Sequence, residues 1–292
     1  MQPSQRARYA DRIERSIALL QQELALGKVP SLAELSATAA LSSYHFHRIF
    51  RIMTGETVGT AVKRVRLGGS LPLLDHGISA ATGQSGYATS QAYARALKER
   101  ASVTPSQLQN DLDERAKVAA SLSRPAIEKS LAVPALEIAI ASLAPLRLSV
   151  VRNVGDYREL NQGFNLLFDR LLEHIQPESI TGLYGIPHDD PREMASEDCR
   201  FDCGVTTTDR VPAESGINEM NIPGGLALRM QHIGDYDLIH TAIDSLYREI
   251  LCADLPVAEH PLLIHYLDDP EEVPVDQQRA LVYISLEGTS SS

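Results

Sequence analysis

Apolar residues recur at three- and four-residue spacing through the first hundred positions, which predicts α-helices with one buried face. A first helix is expected over residues 5–27 and ends at Gly27. Its buried face comprises Ile13, Ile17, Leu20 and Leu24. A second helix is predicted to begin at Ser31, because Ser31 and Glu34 form a capping box that satisfies free N–H groups of the first turn. The N-terminal region is therefore predicted to be helical.

Residues 42–55 predict a third, short helix with an unusual polar face. Its apolar positions are Phe46, Ile49, Phe50 and Met53. Its other face is expected to be exposed and carries Tyr44, His45, His47, Arg48 and Arg51. Two short helices joined by a tight turn, the second with exposed donors, are typical of a helix-turn-helix that binds DNA. A small helical bundle without a DNA role is the alternative.

A second, weaker helix-turn-helix is predicted further along the chain. It is preceded by a helix over 57–67, which is expected to end at the Gly68–Pro72 segment because glycine and proline oppose a helix. That preceding helix is expected to expose Lys63, Arg64 and Arg66. The second unit then consists of a helix over 80–85, a turn at Gly86-Tyr87 and a helix over 89–100. The polar positions of its last helix are Ser90, Gln91, Arg95 and Lys98.

From residue 136 short apolar runs alternate with helical patterns, which predicts a mixed α+β layer. Strands are expected at 136–143, 146–151, 181–186, 201–207, 226–230, 262–267 and 280–286. The tripeptide Gly-Asp-Tyr occurs at 155–157 and again at 234–236, each time after a strand and before an amphipathic helix. The two blocks lie about 79 residues apart, which indicates an internal duplication.

The charge of the chain is divided between these two regions. The 292 residues carry a net charge of −11, which by itself argues against a nucleic-acid partner. Residues 1–106, however, hold 13 Lys and Arg against seven Asp and Glu, a balance of +6, so the remainder stands at −17. This asymmetry indicates a basic DNA-binding module joined to an acidic module with a different role.

Composition narrows the class of protein further. The chain is 43% hydrophobic and 22% charged, and it has neither a run of roughly 20 apolar residues nor a signal-peptide core. Its three cysteines, Cys199, Cys203 and Cys252, fit a reduced cytoplasmic protein and form neither a disulfide framework nor a zinc signature. The sequence predicts no metal, cofactor or membrane partner.

No catalytic site is predicted. The sequence offers no nucleophile–base pair and no phosphate-binding loop. Asp156 and Asp235 each follow a glycine and are interpreted as turn residues. The chain is therefore not expected to be an enzyme.

The N-terminal motifs resemble the AraC/XylS family of bacterial transcription regulators over roughly residues 8–110. The matching motifs are Ser-Leu-x-x-Leu at 31–35, Leu-Ser-x-Tyr-x-Phe-x-Arg-x-Phe at 41–50, Thr-Gly-Glu-Thr at 54–57, Arg66-Leu67 and Gly86-Tyr87 with Tyr93, Arg95-Ala96 and Pro105. The resemblance implies two helix-turn-helix units that place helices in successive major grooves. By position it implies that Tyr44, His47 and Arg48 read bases in the first unit, and that Ser90, Gln91 and Arg95 do so in the second.

Arg48 is the strongest single candidate, because a guanidinium can pair with guanine O6 and N7 or clamp a phosphate. Arg51 lies on the same predicted face and completes the DNA-contact set. The second unit departs from the family pattern at the Gly68–Pro72 segment, at 81–83 and at Ala101-Ser102. These departures predict a looser second unit with weaker base contacts.

The C-terminal region resembles the GyrI-like (SOUL/heme-binding-like) ligand-binding domain over about residues 140–287. The matching motifs are Gly-Asp-Tyr at 155–157, Cys-Arg-Phe-Asp-Cys-Gly-Val at 199–205, Ile-Pro-Gly-Gly at 222–225, His-Ile-Gly-Asp-Tyr at 232–236, and Pro261 with Tyr-Leu-Asp-Asp-Pro at 266–270. The resemblance implies a duplicated βαββ fold with a central groove for small hydrophobic, often cationic, molecules.

Seven aromatic residues are the candidate groove residues: Tyr157, Phe164, Phe168, Tyr184, Tyr236, Tyr247 and Tyr266. Any one of them could instead pack in the hydrophobic core without contacting a ligand. The family often has a glutamate two positions before the tyrosine matched by Tyr266, where this chain has Ile264. The substitution predicts a weaker preference for cations and no hydrolysis by that route.

Together these observations predict a multidomain chain. An AraC-type DNA-binding domain is expected over 5–110, a linker over 111–135 and a GyrI-like domain over 136–288. A short helix starting near residue 107 is expected to precede the linker. The expected function is a cytoplasmic transcription regulator that binds the major groove of double-stranded DNA, senses a small hydrophobic effector and contacts RNA polymerase. A homodimer is compatible with the pattern. The alternatives are a GyrI-like small-molecule binder or hydrolase with a degenerate DNA-binding appendage, and a ligand sink that does not bind DNA.

Overall fold

A computed structural model describes residues 4–123, 137–192, 194–212 and 215–288. The chain divides into two compact units. The helical unit comprises the described residues of 9–41 and 49–130, and the sheet unit comprises those of 1–8, 42–48 and 131–292. Residues 42–48, the first half of the third helix, therefore belong to the sheet unit.

Eight α-helices occupy the described residues up to Ser123: α1 Gln5–Ala25, α2 Leu32–Thr38, α3 Ser43–Thr54, α4 Val58–Ser70, α5 Ile78–Ser85, α6 Ser90–Ala101, α7 Pro105–Asn110 and α8 Leu112–Leu122. Their starts follow from local chemistry. Ser31 and Glu34 form the predicted capping box of α2, and Thr57, Thr89 and Asp111 cap α4, α6 and α8 through their side chains.

Helix α4 continues past the point where glycine was expected to end it. It includes Gly68 and Gly69 and ends at Ser70, and a 3-10 helix over Leu71–His76 follows, with Pro72 in its first turn. Proline is tolerated there because the N–H it lacks has no intrahelical acceptor at a helix start. A Cβ added at Gly68 would lie 3.3 Å from the Cβ of Leu122, so the absence of a side chain lets α8 approach α4 closely.

Helix α8 occupies residues that the sequence assigned to a linker. Val118 and Leu122 of α8 are buried in the core of the helical unit, together with Leu67, Tyr93 and Leu97. The sequence of α8 is rich in alanine and charged residues, and its narrow apolar stripe was not recognised. Helix α8 ends at Leu122 with Ser123 as its C-cap. The rest of the predicted linker, 124–135, lies outside the described residues.

The described part of the sheet unit contains eight strands: β1 Ile138–Leu143, β2 Leu146–Val154, β3 Ile180–Pro187, β4 Arg200–Thr207, β5 Asn218–Ile222, β6 Gly225–Ile233, β7 Leu263–Tyr266 and β8 Arg279–Ser285. They form one antiparallel sheet in the order β1-β6-β8-β7-β3-β4-β2-β5. Seven of the strands lie where the sequence predicts them. The strand that the sequence missed, β5, reads Asn-Glu-Met-Asn-Ile and lies at one edge, where a polar strand is tolerated.

Two helices pack on this sheet, α9 Leu160–Leu172 against β2 and β4, and α10 Ile239–Cys252 against β6. A separate apolar cluster includes Leu148, Val150, Tyr184, Ile186 and Leu263. The architecture is thus a helical N-terminal region followed by a curled antiparallel sheet with helices packed on it.

Candidate functional site

The first half of α3 is buried, and the expectation of an exposed polar face is wrong there. Tyr44 is 6% exposed, His45 1%, His47 7% and Arg48 1%. Arg51, further along the helix, is half-buried. The sequence pattern could not reveal this, because a face of donors and aromatic rings suits an acidic protein surface as well as DNA.

Arg48 is held by an ion-pair network inside the sheet unit. Its Nη1 lies 2.7 Å from Asp244 Oδ1 and donates a second hydrogen bond of 2.8 Å to the carbonyl oxygen of His240. Its Nε lies 3.2 Å from Asp190 Oδ2. The guanidinium also stacks over the Tyr44 ring, 5.3 Å from its centroid. Every side of the cation therefore meets a compensating group.

A second arginine completes this network. Arg192 donates to both oxygens of Asp190, at 2.8 and 2.6 Å, and to Asp244 Oδ2 at 2.7 Å. Two guanidinium groups and two carboxylates thus balance in charge. Burial acts to raise the pKa of Asp190, but the hydrogen bond from Arg192 and the charge of Arg48 outweigh it and hold that pKa well below its usual range. The pKa of Asp244 is lowered against its burial in the same way. Both carboxylates are charged at neutral pH.

His45 forms the other polar anchor of this segment. Its Nε2 lies 2.8 Å from the carbonyl oxygen of His260, which can only accept, so Nε2 carries the proton. Its Nδ1 then accepts a short hydrogen bond from the hydroxyl of Tyr247. Burial lowers the pKa of His45 to about 4, so the ring is neutral at pH 7. Asp190 and Asp244 were not among the predicted site residues, and no motif in the sequence marks them. His45 was placed on the polar face of the third helix but not in the predicted DNA-contact set.

The polar positions of α6 contrast with those of α3. Ser90, Gln91 and Arg95 are all exposed, and the side chain of Arg95 is 82% exposed beside Glu99. The helix is preceded by α5 and a turn in which Gly86 has φ +76°. A Cβ at Gly86 would lie 2.8 Å from Nη1 of Arg66, the mobile end of a long side chain, so this turn depends on glycine for its left-handed conformation.

Arg64, expected to be exposed, is also buried. It is 3% exposed and forms a bidentate pair with Glu56, with Nη2–Oε1 at 2.6 Å and Nε–Oε2 at 3.1 Å. Its Nη1 donates to the carbonyl oxygen of Leu122 at 2.7 Å, and Arg100 adds a 3.1 Å contact to Glu56. The acid of the Thr-Gly-Glu-Thr motif thus serves packing within the helical unit.

Three of the seven predicted groove residues are in ring contact with one another. Phe164 on α9 packs edge-to-face on Tyr266 with ring centroids 5.9 Å apart, and Tyr236 contacts the same ring at 4.9 Å. Tyr157 contacts Phe201 edge-to-face at 5.2 Å. Gly185 in β3 lies between these two groups of rings. A Cβ there would clash with Phe201 and lie 3.0 Å from Tyr266. The rings of Phe164, Tyr266, Tyr236, Phe201 and Tyr157 are named the aromatic layer below.

The remaining three groove candidates lie elsewhere. Tyr184 stacks on His265 with centroids 4.4 Å apart, and the register of β3 and β7 places this pair on the face opposite Tyr266. Tyr247 is fully buried and donates to His45. Phe168 is half-buried on α9. Ile264, which replaces the family glutamate, is 1% exposed and shares the face of Tyr266.

Two tyrosine hydroxyls make equivalent hydrogen bonds. Tyr157 donates to the carbonyl oxygens of Asp189 and Arg200, at 3.0 and 2.6 Å. Tyr236 donates to those of Asp268 and Arg279, at 3.1 and 2.7 Å. Each residue of the second set follows its counterpart by 79 positions. Both hydroxyls therefore fix a strand end to the loop before it.

The cysteine thiols and the grouping of possible metal ligands bear on nucleophilic chemistry and metal binding. Burial raises the pKa of Cys199 to about 11 and that of Cys203 to about 12, so both thiols are protonated at neutral pH. Within the described ranges, no three His, Cys, Asp or Glu side chains are grouped so that they could hold a metal ion. In the same ranges no helix has the length and apolar character needed to cross a membrane.

Residues 136–287, more than half of the chain, match the model of the GyrI-like small molecule binding domain. The chain belongs to the GyrI-like family. Among curated relatives, the SPbeta prophage-derived protein YosT of Bacillus subtilis (strain 168), named as a transcriptional regulator, is 33% identical over 95 residues. That match covers 31% of this chain and 61% of YosT, so this GyrI-like chain spans about three fifths of that relative's length.

A second relative, YgiV of Escherichia coli (strain K12), also named as a transcriptional regulator, is 26% identical over 114 residues, or 38% of this chain and 71% of YgiV. Among solved structures, the EcmrR–DNA complex aligns with 82% of this chain and 81% of its own, with a TM-score of 0.46 and 14% identity. The EcmrR C-terminal domain aligns with 52% of this chain and 98% of its own, with a TM-score of 0.45 and 14% identity.

Proposed function

We propose that this GyrI-like chain is a transcription regulator: its helical region binds the major groove of double-stranded DNA and its sheet binds a small hydrophobic effector. The observation that carries the proposal is the combination of a GyrI-like domain with a basic helical region whose α6 presents Ser90, Gln91 and Arg95 to solvent. Curated relatives that are named as transcriptional regulators support the same function.

The helical region is interpreted as two AraC-like helix-turn-helix units, α2–α3 and α5–α6. Each pair joins two short helices through a tight turn, and Ala40 (φ 51°) and Gly86 (φ 76°) supply the left-handed residue of each turn. In α6 the exposed side chains of Ser90, Gln91 and Arg95 can reach base edges. The basic balance of residues 1–106 adds a sequence-independent attraction to DNA.

The sheet is interpreted as two duplicated βαββ units, β2-α9-β3-β4 and β6-α10-β7-β8, each preceded by a strand that pairs with the other unit. In the strand order, β1 pairs with β6 and β5 pairs with β2, so each half begins with a strand from the other. The equivalent tyrosine bonds, 79 residues apart, support the same duplication. The aromatic layer lies where the halves meet, at β3 and β7, and offers aromatic surface to a hydrophobic molecule.

The DNA part of the proposal is tested by fluorescence anisotropy on a duplex from upstream of the chain's own gene, measured across a salt series. We expect Arg95→Ala to weaken specific binding by roughly five- to 150-fold, which corresponds to the 1–3 kcal/mol of a base-reading arginine. The matched control is Arg210→Ala, which removes the same charge from an exposed arginine of the sheet unit and should leave the affinity within twofold. Equal affinity of wild type for upstream and scrambled DNA would overturn the proposal.

The effector part is tested by calorimetric titration with tetraphenylphosphonium and its anionic isostere tetraphenylborate. We expect Phe164→Ala to weaken binding at least tenfold, whereas Leu166→Ala, an exposed apolar residue two positions further along α9, should not. Because Ile264 stands where a carboxylate would favour cations, the two probes should differ by less than tenfold. Equal effects of the two variants, or no binding of either probe, would contradict this assignment.

A further inference from the structure

We propose that the contact between residues 42–48 and the acidic surface around α10 is an autoinhibitory latch, which must open before the first helix-turn-helix can read DNA. The inference rests on the proposed function and adds its regulation. The latch is defined by Tyr44, His45 and Arg48 on α3 and by Asp190, Asp244, Tyr247 and the carbonyl oxygens of His240 and His260 on the other side.

The latch holds the groups that DNA recognition requires. The guanidinium of Arg48 meets two carboxylates and a carbonyl oxygen at hydrogen-bonding or ion-pair distance. A phosphate or the O6 and N7 atoms of guanine would offer the same cation similar acceptors. With Arg48 1% exposed and His47 7% exposed, neither side chain can reach a base edge while the latch is closed.

The two helix-turn-helix units differ in this respect. The candidate base-reading residues of α6 are Ser90, Gln91 and Arg95, and all three are exposed. One unit is therefore accessible and the other is closed. A chain with one accessible unit binds DNA weakly, and opening of the latch adds the second set of contacts.

The arrangement of the latch also indicates how it could be opened. Tyr247, one of the seven groove candidates named from the sequence, donates its hydroxyl to His45. A molecule that binds the sheet unit only when Tyr247 has turned away from His45 shifts the population towards the open latch. The apparent DNA affinity then rises in proportion to the fraction of chains that are open.

The test is anisotropy on the upstream duplex with full-length wild type, Asp244→Asn and Asp268→Asn. The two aspartates are matched, because each side chain is 10% exposed and each forms an ion pair with arginine, but Asp268 pairs with Arg279 outside the latch. Asp244→Asn leaves two arginines with one carboxylate and should tighten specific DNA binding at least tenfold. Asp268→Asn removes the same charge and should change the affinity less than twofold.

A second variant assigns the gain to the latched arginine. The affinity gained by Asp244→Asn should be lost in Asp244→Asn/Arg48→Ala, because the freed guanidinium makes the new contact. Tyr247→Phe removes only the hydroxyl that bonds to His45, and it replaces Asp244→Asn if circular dichroism shows that the latter does not fold. It should tighten binding at least threefold.

The outcomes separate the two proposals. Specific binding by wild type that is tightened by neither Asp244→Asn nor Tyr247→Phe would overturn the latch and leave the regulator intact. An Asp244→Asn chain that binds tightly without need of Arg48 would also overturn it. Failure of wild type and all variants to distinguish upstream from scrambled DNA would overturn both.

Discussion

Arg48 shows how a buried cation is accommodated inside a protein. Removing a guanidinium from water costs several kcal/mol, and the cost is offset only when hydrogen bonds and opposite charges surround the group. Asp190, Asp244 and the His240 carbonyl supply them here. The sequence named Arg48 as a DNA contact. Its partners in the fold lie more than 140 positions away, and no local spacing could identify them.

The histidines of the same helix predict a pH dependence. Burial lowers the pKa of His45 and of His47 to about 4, below the unfolded value of about 6.5. The folded state therefore resists protonation, and stability falls as pH drops from 6.5 towards 4. At pH 5 each of these histidines should reduce the free energy of unfolding by about 2 kcal/mol relative to pH 7.

The measurement is urea unfolding at pH 7 and pH 5 for wild type and His45→Gln. The variant cannot titrate at position 45, so its loss between the two pH values should be smaller by about 2 kcal/mol. The carboxylates of the latch do not complicate this window, because Asp contributions change mainly below pH 5. An identical pH dependence in both chains would show that His45 is not buried in neutral form.

The Glu56–Arg64 pair gives a prediction for the helical unit. Glu56→Gln leaves the buried Arg64 without its carboxylate, so it should reduce the free energy of unfolding by about 3 kcal/mol. Glu99→Gln is the control, because Glu99 pairs with Arg95 on the surface and should cost less than about 0.5 kcal/mol. Urea unfolding followed by circular dichroism measures both. Equal losses would contradict the buried position of the pair.

The positions of most helices and strands follow from helix periodicity, capping residues and strand alternation in the sequence. The capping box of α2 and seven of the eight described strands lie where the pattern indicates. The errors have physical reasons. Helix α4 tolerates two glycines because tertiary packing overrides propensity, α8 buries only a narrow stripe, and the edge strand β5 has no apolar run.

The adjacent glycines of α4 form a matched pair for testing the α4–α8 contact. Gly69→Ala should stabilise the chain by about 0.5–1 kcal/mol, because alanine favours the helix and nothing lies within 4 Å of the added Cβ. Gly68→Ala makes the same change where the Cβ meets Leu122 at 3.3 Å, so its gain should be smaller or reversed. Thermal unfolding of both variants decides this. Equal stabilisation would indicate that α8 does not pack closely at Gly68.

Over the whole molecule, the family match covers residues 136–287, and five of the seven aromatic residues named from the sequence fall into three places in the sheet unit. Phe164, Tyr236 and Tyr266 form one group of rings, Tyr184 lies on the opposite face, and Tyr247 bonds to His45. Neighbouring residues of a strand point to opposite faces of the sheet. Which aromatic residues lie on the same face depends on the strand register, and the sequence alone does not specify that register. The hydrogen bond between Tyr247 and His45 ties one of the candidate groove residues to the latch.

Methylation protection of guanine N7 on the upstream duplex shows most directly whether these helices read DNA, because N7 lies in the major groove. With wild type and Asp244→Asn at equal occupancy, we expect α6 to protect guanines in both complexes. A second protected segment about one helical turn away should appear, or strengthen, when the latch is opened. A uniform methylation pattern at concentrations that saturate the duplex would contradict a regulator that reads DNA through these helices.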